Sequence, residues 1–564
     1  MVIAFFYGTV VLWSVNIPYS DDYWAFFDFP LSFLRSNEKW TLLFSQHNEH
    51  RPVFERIITL LYLSLSNGIN IKSLIFIGNL SLLGMFHLFI QILTGENAPQ
   101  TSSSNPPSPV ILTLQKKANT PALQLVPVAL LLFSYSYWET IYWGMGALCN
   151  LWVVYFSLLS LYFLTRNKAF PTALFSSAAT FTTGSGILTL PIGLLSSAIR
   201  RRSKLFVVLI STSALAGWLY FRDYTKPTYH PSVKAAFLHP FQPIVFSLSL
   251  LGSAVSLPFD GTIPEPFMFC LSTLAGTALA AFFVFLTVRK YYQNHSANYH
   301  FMCFLIANSL LVGLTRSGFG MGNSLTSRYA IHSVVFLICV YLSLLDLGIF
   351  RTKKTIGLII IFCLLLNYSS FKIASLRQND RIRNLVCNML LFQNHITSLR
   401  SQDVDLSFPA ERGIPFLEEA KQKKIYNVST ALQGENLDTY VSAPQNFFIP
   451  DLKAGKGFYS LNQVDPGKNL LKIGGWSFMT PADGANVEKY IVLISKKDKY
   501  IFNTFTVHRP DVSRHYHGDL DDSGFYGLIL NRDIKKGTYD LWLYLKGKGS
   551  DLCQDTHTEL KLGE

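Results

Sequence analysis

Long apolar runs alternate with short polar loops from the first residue to about residue 375, and there the alternation stops. A helix needs about 20 apolar residues to cross the hydrocarbon of a bilayer, somewhat fewer when flanking side chains snorkel. On that criterion the runs at 1–17, 72–93, 122–137, 147–165, 169–183, 186–199, 204–221, 266–288, 299–315, 331–349 and 355–373 predict about eleven spanning helices. The first run follows Met1 directly, with no basic segment before it and no small-residue cleavage site ahead of Pro18, so it reads as an uncleaved anchor. Two more apolar stretches fit less well: 55–67 is short, and 237–257 is interrupted by Pro240 and Pro243. Both are expected in the interface or partway into the bilayer. Residues 95–120, centred on Ser102-Ser103-Ser104-Asn105-Pro106-Pro107, read as a linker.

Beyond about Arg377 the period changes. Residues 376–460 mix Leu-rich helical spacing with Pro and Gly breaks and predict a helical and irregular connector. In 461–564, aromatic and β-branched residues alternate in runs at 470–478, 490–494, 500–507, 524–530 and 538–545, between turn signals such as Pro466-Gly467, Asp483-Gly484 and Lys536-Gly537. Two packed sheets close such a set most simply, so a small β-sandwich domain is predicted there. Its Trp476, Phe478 and Phe525 read as core, or alternatively as a carbohydrate platform. The predicted fold class is therefore an α-helical polytopic membrane protein over 1–375, a connector over 376–460 and a β-sandwich over 461–564.

Composition agrees with the pattern. Of 564 residues, 49% are hydrophobic, 14% aromatic and only 15% charged, against roughly 25% charged in an average soluble domain. The formal net charge of +13 sits largely in short clusters between apolar runs, where it orients the chain, so nucleic acid is not expected as a partner. Lys116-Lys117, Arg166 with Lys168, Arg200-Arg201-Arg202 with Lys204, Arg289-Lys290, and Arg351 with Lys353-Lys354 fall in alternate loops. The positive-inside rule makes those loops and the N-terminus cytoplasmic. It puts the Asp21 loop, 138–150, 222–259, 316–328 and everything after about Phe371 on the outer side. Cys387 and Cys553 then share an oxidising compartment and could pair.

Chemistry is expected where polar groups gather on that outer side. Asp21-Asp22-Tyr23-Trp24 follows the first apolar run, and Gln46-His47-Asn48-Glu49-His50-Arg51 puts six polar side chains in a row. Carboxylates beside hydrocarbon are costly unless solvated, paired or used; the competing reading is that both aspartates cap the helix beginning near Tyr23. Arg316 and Arg328 bracket the glycine-rich stretch Ser317-Gly318-Phe319-Gly320-Met321-Gly322-Asn323, against the usual charge bias of an outer loop. They read as anion ligands, or as ion-pair and headgroup partners. Tyr137-Trp138-Glu139 and Tyr142-Trp143 could stack a sugar or form an interfacial aromatic belt. His47, Glu49 and His50 could also hold a divalent metal, although their spacing is no recognised metal signature, and on a helix Glu49 would point away from the two histidines. No other cofactor is expected.

Asp21-Asp22-Tyr23 after the first span, the Thr182-Thr183-Gly184-Ser185-Gly186 break, Ser327-Arg328-Tyr329 opening a late span, and the phrase His47-Asn48-Glu49-His50-Arg51-Pro52 together resemble the bacterial GT-C glycosyltransferases over residues 1 to about 375. The resemblance implies transfer of a sugar from a polyprenyl-phosphate donor to an envelope glycan or lipid acceptor, at the outer face of the bacterial inner membrane and with inversion. Under it Asp21 or Asp22 is the base, with Asp21 favoured, Arg316, Arg328 and Arg51 hold the donor phosphate, and Tyr23, His47, Asn48, Glu49, His50, Trp138 and Glu139 bind sugar or acceptor. Gly474-Gly475-Trp476-Ser477-Phe478, Arg509-Pro510-Asp511-Val512, Ser523-Gly524-Phe525 and Gly537-Thr538-Tyr539-Asp540-Leu541 resemble a β-sandwich module of bacterial envelope proteins. The alternatives are a flippase or transporter of lipid-linked glycans, an O-antigen polymerase or ligase, and a scaffold that presents the sandwich.

Overall fold

The computed structural model describes residues 1–94, 121–231, 233–257, 263–350, 352–393, 410–428, 432, 441–446, 457–466, 470–480, 487–507, 509–547 and 551–562. The linker reading of 95–120 lies outside the described residues. The chain divides into two compact units, one of Met1–Asp380 with Gln422–Tyr426 and one of Arg381–Lys421 with Asn427–Glu564.

The first unit is helical. Among the described residues, seven helical segments are long and apolar enough to cross a membrane: Ile71–Leu93, Gly144–Thr165, Ser203–Phe221, Glu265–Val288, Ser296–Phe319, Ser327–Asp346 and Lys353–Leu390. Four expected spans fold as shorter apolar helices. Val2–Trp13 has 12 residues, about 18 Å of helix against a hydrocarbon layer of about 30 Å. Ala169–Thr180 is equally short, because the Thr182 to Gly186 break ends it before the next helical segment, Gly184–Ile199. The proline-broken stretch at 237–257 contains a regular helix, Phe241–Ser256. Pro240 precedes it and Pro243 falls in its first turn, where a missing N–H costs nothing. This helix lies closely along Glu265–Val288, since a Cβ on Gly252 or Gly276 would overlap the facing backbone. The last helix, Lys353–Gln393, runs 41 residues, so the expected boundary at 375 falls inside a continuous helix.

The second unit contains two four-stranded antiparallel sheets. The strands are β1 (Phe458–Pro466), β2 (Leu470–Phe478), β3 (Glu488–Ile494), β4 (Lys499–Asn503), β5 (Phe505–Val507), β6 (Gly524–Leu530), β7 (Gly537–Lys546) and β8 (Asp551–Leu562). Their order is β1-β2-β6-β5 in one sheet and β4-β3-β7-β8 in the other. Leu471, Ile473, Phe525 and Ile529 from the first meet Ile491, Leu493, Phe502, Leu541, Leu543 and Leu560 from the second in one buried cluster, drawn from residues two apart that share the face between the sheets. The single run expected at 500–507 is two strands that part at Thr504 and join different sheets. Phe478 and Phe525 are core, while Trp476 is half-buried in a stack with Phe478, centroids 5.7 Å apart. Cys387 and Cys553 do not pair: both are free thiols, the first 3.5 Å from the Tyr526 hydroxyl and the second buried among Val492, Ile501 and Tyr544.

Candidate functional site

The two adjacent aspartates have different surroundings. Asp22 is 1% exposed; its Oδ2 accepts the Tyr19 amide at 3.0 Å and its Oδ1 the Met145 amide at 2.8 Å, so it ties the turn before Trp24 to the 144–146 segment. That carboxylate holds backbone together. Asp21 uses its carbonyl to accept the Trp24 and Ala25 amides, which starts the π-helical turn Trp24–Asp28, and leaves its carboxylate 28% exposed and 3.9 Å from His47 Nε2. The helix-capping expectation for the pair is not met, because the first turn takes no side-chain cap and Asp22 accepts from an amide that precedes it. Tyr23 packs edge-on against Phe27, centroids 6.1 Å apart, and burial together with Asp22 pushes its hydroxyl pKa up.

The polar phrase that follows is a tight reversal and not a helix. His47 and His50 exchange both backbone hydrogen bonds, at 2.8 and 2.9 Å, and Asn48 takes the left-handed conformation (φ 50°) that asparagine tolerates. The reversal is braced from distant parts of the chain. Gln46 Nε2 donates to the Thr225 carbonyl at 2.6 Å, Tyr229 Oη donates to Asn48 Oδ1 at 2.7 Å, and Tyr220 Oη donates to the Glu49 carbonyl at 2.7 Å. The Gly184 amide donates to His50 Nδ1 at 3.1 Å, so Nδ1 is the acceptor and the ring proton sits on Nε2, facing Glu49 Oε1 at 3.4 Å. The His50 side chain is 33% exposed, yet desolvation, helped by His47 and His230 and opposed by Asp21, holds its pKa down at about 4. It is neutral at pH 7.

Glu49 is the hub. Its Oε1 is ion-paired with Arg316 Nη2, and its Oε2 lies 3.4 Å from His230 Nε2. His230 in turn stands 3.2 Å from Arg316 Nη1, and the Arg316 guanidinium lies over Phe319. Arg316 ends the helix Ser296–Arg316, where a guanidinium is at the negative end of the helix dipole. Glu49 and Arg316 each keep 20% of their side-chain surface open.

Arg328 approaches from another direction. Its carbonyl accepts the Thr140 hydroxyl at 3.1 Å, and the neighbouring Ser327 hydroxyl accepts the Glu139 amide at 3.1 Å, which docks the Trp138 segment beside it. The guanidinium lies over Tyr329 and its Nε–H is buried without a hydrogen-bond partner among the described residues. Asp21 is tied to the reversal through His47, 3.9 Å from its carboxylate.

Three expectations are corrected. Arg51 does not face a ligand: it is 6% exposed, and its Nε donates to the Tyr220 carbonyl at 2.6 Å while its terminal nitrogens donate to the carbonyls of Phe44 and Arg222. It is a strut. Tyr137, Tyr142 and Trp143 are buried and belong to the core, leaving Trp138 as the half-buried aromatic of that group. The metal option for His47, Glu49 and His50 does not fit, since among the described residues no three His, Cys, Asp or Glu side chains are grouped to hold an ion. His47 faces Asp21, and Glu49 is already paired with a guanidinium that would repel a cation. Conversely, Tyr220, Tyr229 and His230 were missed. The only signal was a Tyr-His pair, Tyr229-His230, in the polar stretch after residue 222.

No protein-family model, curated protein or solved structure matches this chain.

Proposed function

We propose that this chain is a membrane glycosyltransferase of the GT-C kind, which moves a sugar from a polyprenyl-phosphate donor to a hydroxyl of an envelope glycan or lipid, with inversion. The observation that carries the reading is a solvent-open carboxylate, Asp21, 3.9 Å from His47, which opens the tight reversal whose Glu49 is ion-paired with Arg316. The acceptor hydroxyl gives its proton to Asp21 as its oxygen bonds to the anomeric carbon. The bond from that carbon to the phosphate oxygen breaks on the opposite face, and the electron pair stays with the phosphate. Arg316 and Arg328 stabilise the charge that grows there, Arg328 through an Nε–H that has no hydrogen-bond partner among the described residues. His47 orients the Asp21 carboxylate, and Trp138, Glu139 and Asn48 line the sugar side. No step uses a metal.

Arg200 donates to Ser296 at the N-terminal end of the helix that Arg316 terminates, which with the positive-inside rule supports a site at the outer face of a bacterial inner membrane. The N-terminus is then cytoplasmic and the two-sheet unit, in this reading an envelope-type sandwich, extracytoplasmic. The seven helices long and apolar enough to cross a membrane support the membrane-embedded part of this reading.

Membranes containing the protein should transfer labelled sugar from a polyprenyl-phosphate donor, and Asp21→Asn should reduce the rate by about 10²- to 10⁴-fold, the usual contribution of a general base. Undiminished transfer by that variant defeats the assignment. A flippase would be indifferent to the substitution.

A further inference from the structure

Glu49 holds a place that a ligand anion would be expected to hold. Nitrogens from three separate segments converge on its carboxylate: Arg316 Nη2 from the end of a helix, in an ion pair, His50 Nε2 from the reversal at 3.4 Å and His230 Nε2 from the stretch after the Ser203–Phe221 helix at 3.4 Å. Carboxylate and phosphate are interchangeable partners for a guanidinium, each offering two oxygens to its planar fork of N–H groups. We propose that in the ligand-free protein Glu49 fills the anion site of Arg316, and that a prenyl phosphate enters by displacing it. This rests on the reading of Arg316 as a phosphate ligand.

The geometry allows the exchange. Glu49 keeps 20% of its side chain open, and its main chain is held independently by the Tyr220 hydroxyl and by the two backbone bonds between His47 and His50. The side chain can therefore swing out without unravelling the turn. Arg316 is anchored over Phe319 and beside His230, so the site outlasts the departure of its occupant.

Such a competitor has a use in the proposed reaction. The donor is a phosphodiester with one negative charge, whereas the departing prenyl phosphate is a monoester that can carry two. A bare arginine site would hold product more tightly than substrate. A carboxylate tethered beside the site returns to Arg316 as the monoester loosens and shifts the balance toward release, because anything that occupies the site lowers the apparent affinity by the fraction of sites left open.

Binding of farnesyl phosphate, inorganic phosphate and farnesol to the detergent-purified full chain, followed by isothermal titration, tests this directly. Glu49→Gln should bind farnesyl phosphate about tenfold more tightly than the native chain, if the pair is closed about nine-tenths of the time. Arg316→Met should lose that binding, and the double variant should not recover it. Farnesol should bind all variants alike. An equal gain for inorganic phosphate assigns the exchange to phosphate alone, and a gain confined to farnesyl phosphate assigns it to the lipid headgroup; either supports displacement. Unchanged or weaker binding by Glu49→Gln, with an unaltered melting temperature, overturns it, as does Arg316-independent binding. If Glu49→Gln shows the gain while no sugar is ever transferred, the transferase reading fails and the exchange stands. If transfer depends on Asp21 but Glu49→Gln gains nothing, the exchange alone fails.

Discussion

One helix, Ser296–Arg316, has a charged cluster at each end, about 30 Å apart, and the two clusters are built differently. At its start, Asp346 Oδ2 faces His295 Nδ1 at 3.0 Å and accepts the Tyr291 hydroxyl; Asn298 Nδ2 reaches Tyr291 Oη, the Cys339 carbonyl and the Ser343 hydroxyl at 3.1, 2.9 and 3.0 Å. Arg200 and Arg202 nearby donate to the Tyr292 and Leu164 carbonyls. Cations there go to carbonyls, and the acid is served by neutral groups and one histidine. At the far end the cation meets an acid, Arg316 with Glu49, while Asp21 keeps 28% of its side chain open, 3.9 Å from His47. The first cluster too leaves an acceptor, Asn298 Oδ1, without a hydrogen bond among the described residues, so what sets the far end apart is the solvent-open carboxylate of Asp21, where a ligand can be received.

The comparison breaks most sharply through paired amidations. Asp21→Asn should stop transfer and leave the melting temperature of the purified protein unchanged. Asp346→Asn should do the reverse, lowering stability by about 0.5–1.5 kcal/mol as the His295 ion pair goes and the Tyr291 hydroxyl meets a neutral acceptor, and sparing transfer per folded molecule. Loss of transfer in both, at equal stability, would erase the distinction between the ends.

Asp22→Asn divides the adjacent acids in the same way. Its carboxylate accepts two amides, so the variant should melt lower by a similar amount, with transfer falling only in step with the folded fraction. A native melting temperature combined with dead chemistry would move the base from Asp21 to Asp22.

The smallest expected effect is a pH dependence at His50. Its folded pKa is depressed to about 4 from an unfolded value near 6.5. Between those values the unfolded chain binds a proton that the folded chain refuses, so stability is complete above about pH 6.5 and declines as pH falls toward 4. His50→Asn should flatten the melting temperature over that window. An unchanged slope means that burial does not hold the folded-state His50 neutral.

Much of the second unit was legible because strands announce themselves locally. The bounds of β2 and β6 coincide with the alternating runs, since residues two apart share a face whatever the rest of the chain does. β8 was missed because Asp551, Gln554, Asp555, His557, Glu559 and Lys561 dilute its alternation with polar side chains. It is a strand because β7 pairs along nearly its whole length. The membrane unit shows the same division, for apolar runs predicted where helices lie but not where they stop. The short helices Val2–Trp13 and Ala169–Thr180 end at polar and glycine-rich breaks whose effect depends on the neighbours they meet.

The site was half legible for a related reason. Sequence alone determined that this chain is rich in membrane-length apolar helices, that its last hundred or so residues form strands, and that acids, histidines and arginines cluster beside the helix ends, because periodicity and hydropathy are properties of neighbouring residues. Only the tertiary structure decided which of two adjacent aspartates is open, that Arg51 is consumed by carbonyls about 170 residues away, and that Tyr229 and His230 join the cluster. A charged group's role follows from which hydrogen bonds are already made around it, and those partners come from segments that meet only when the chain is folded.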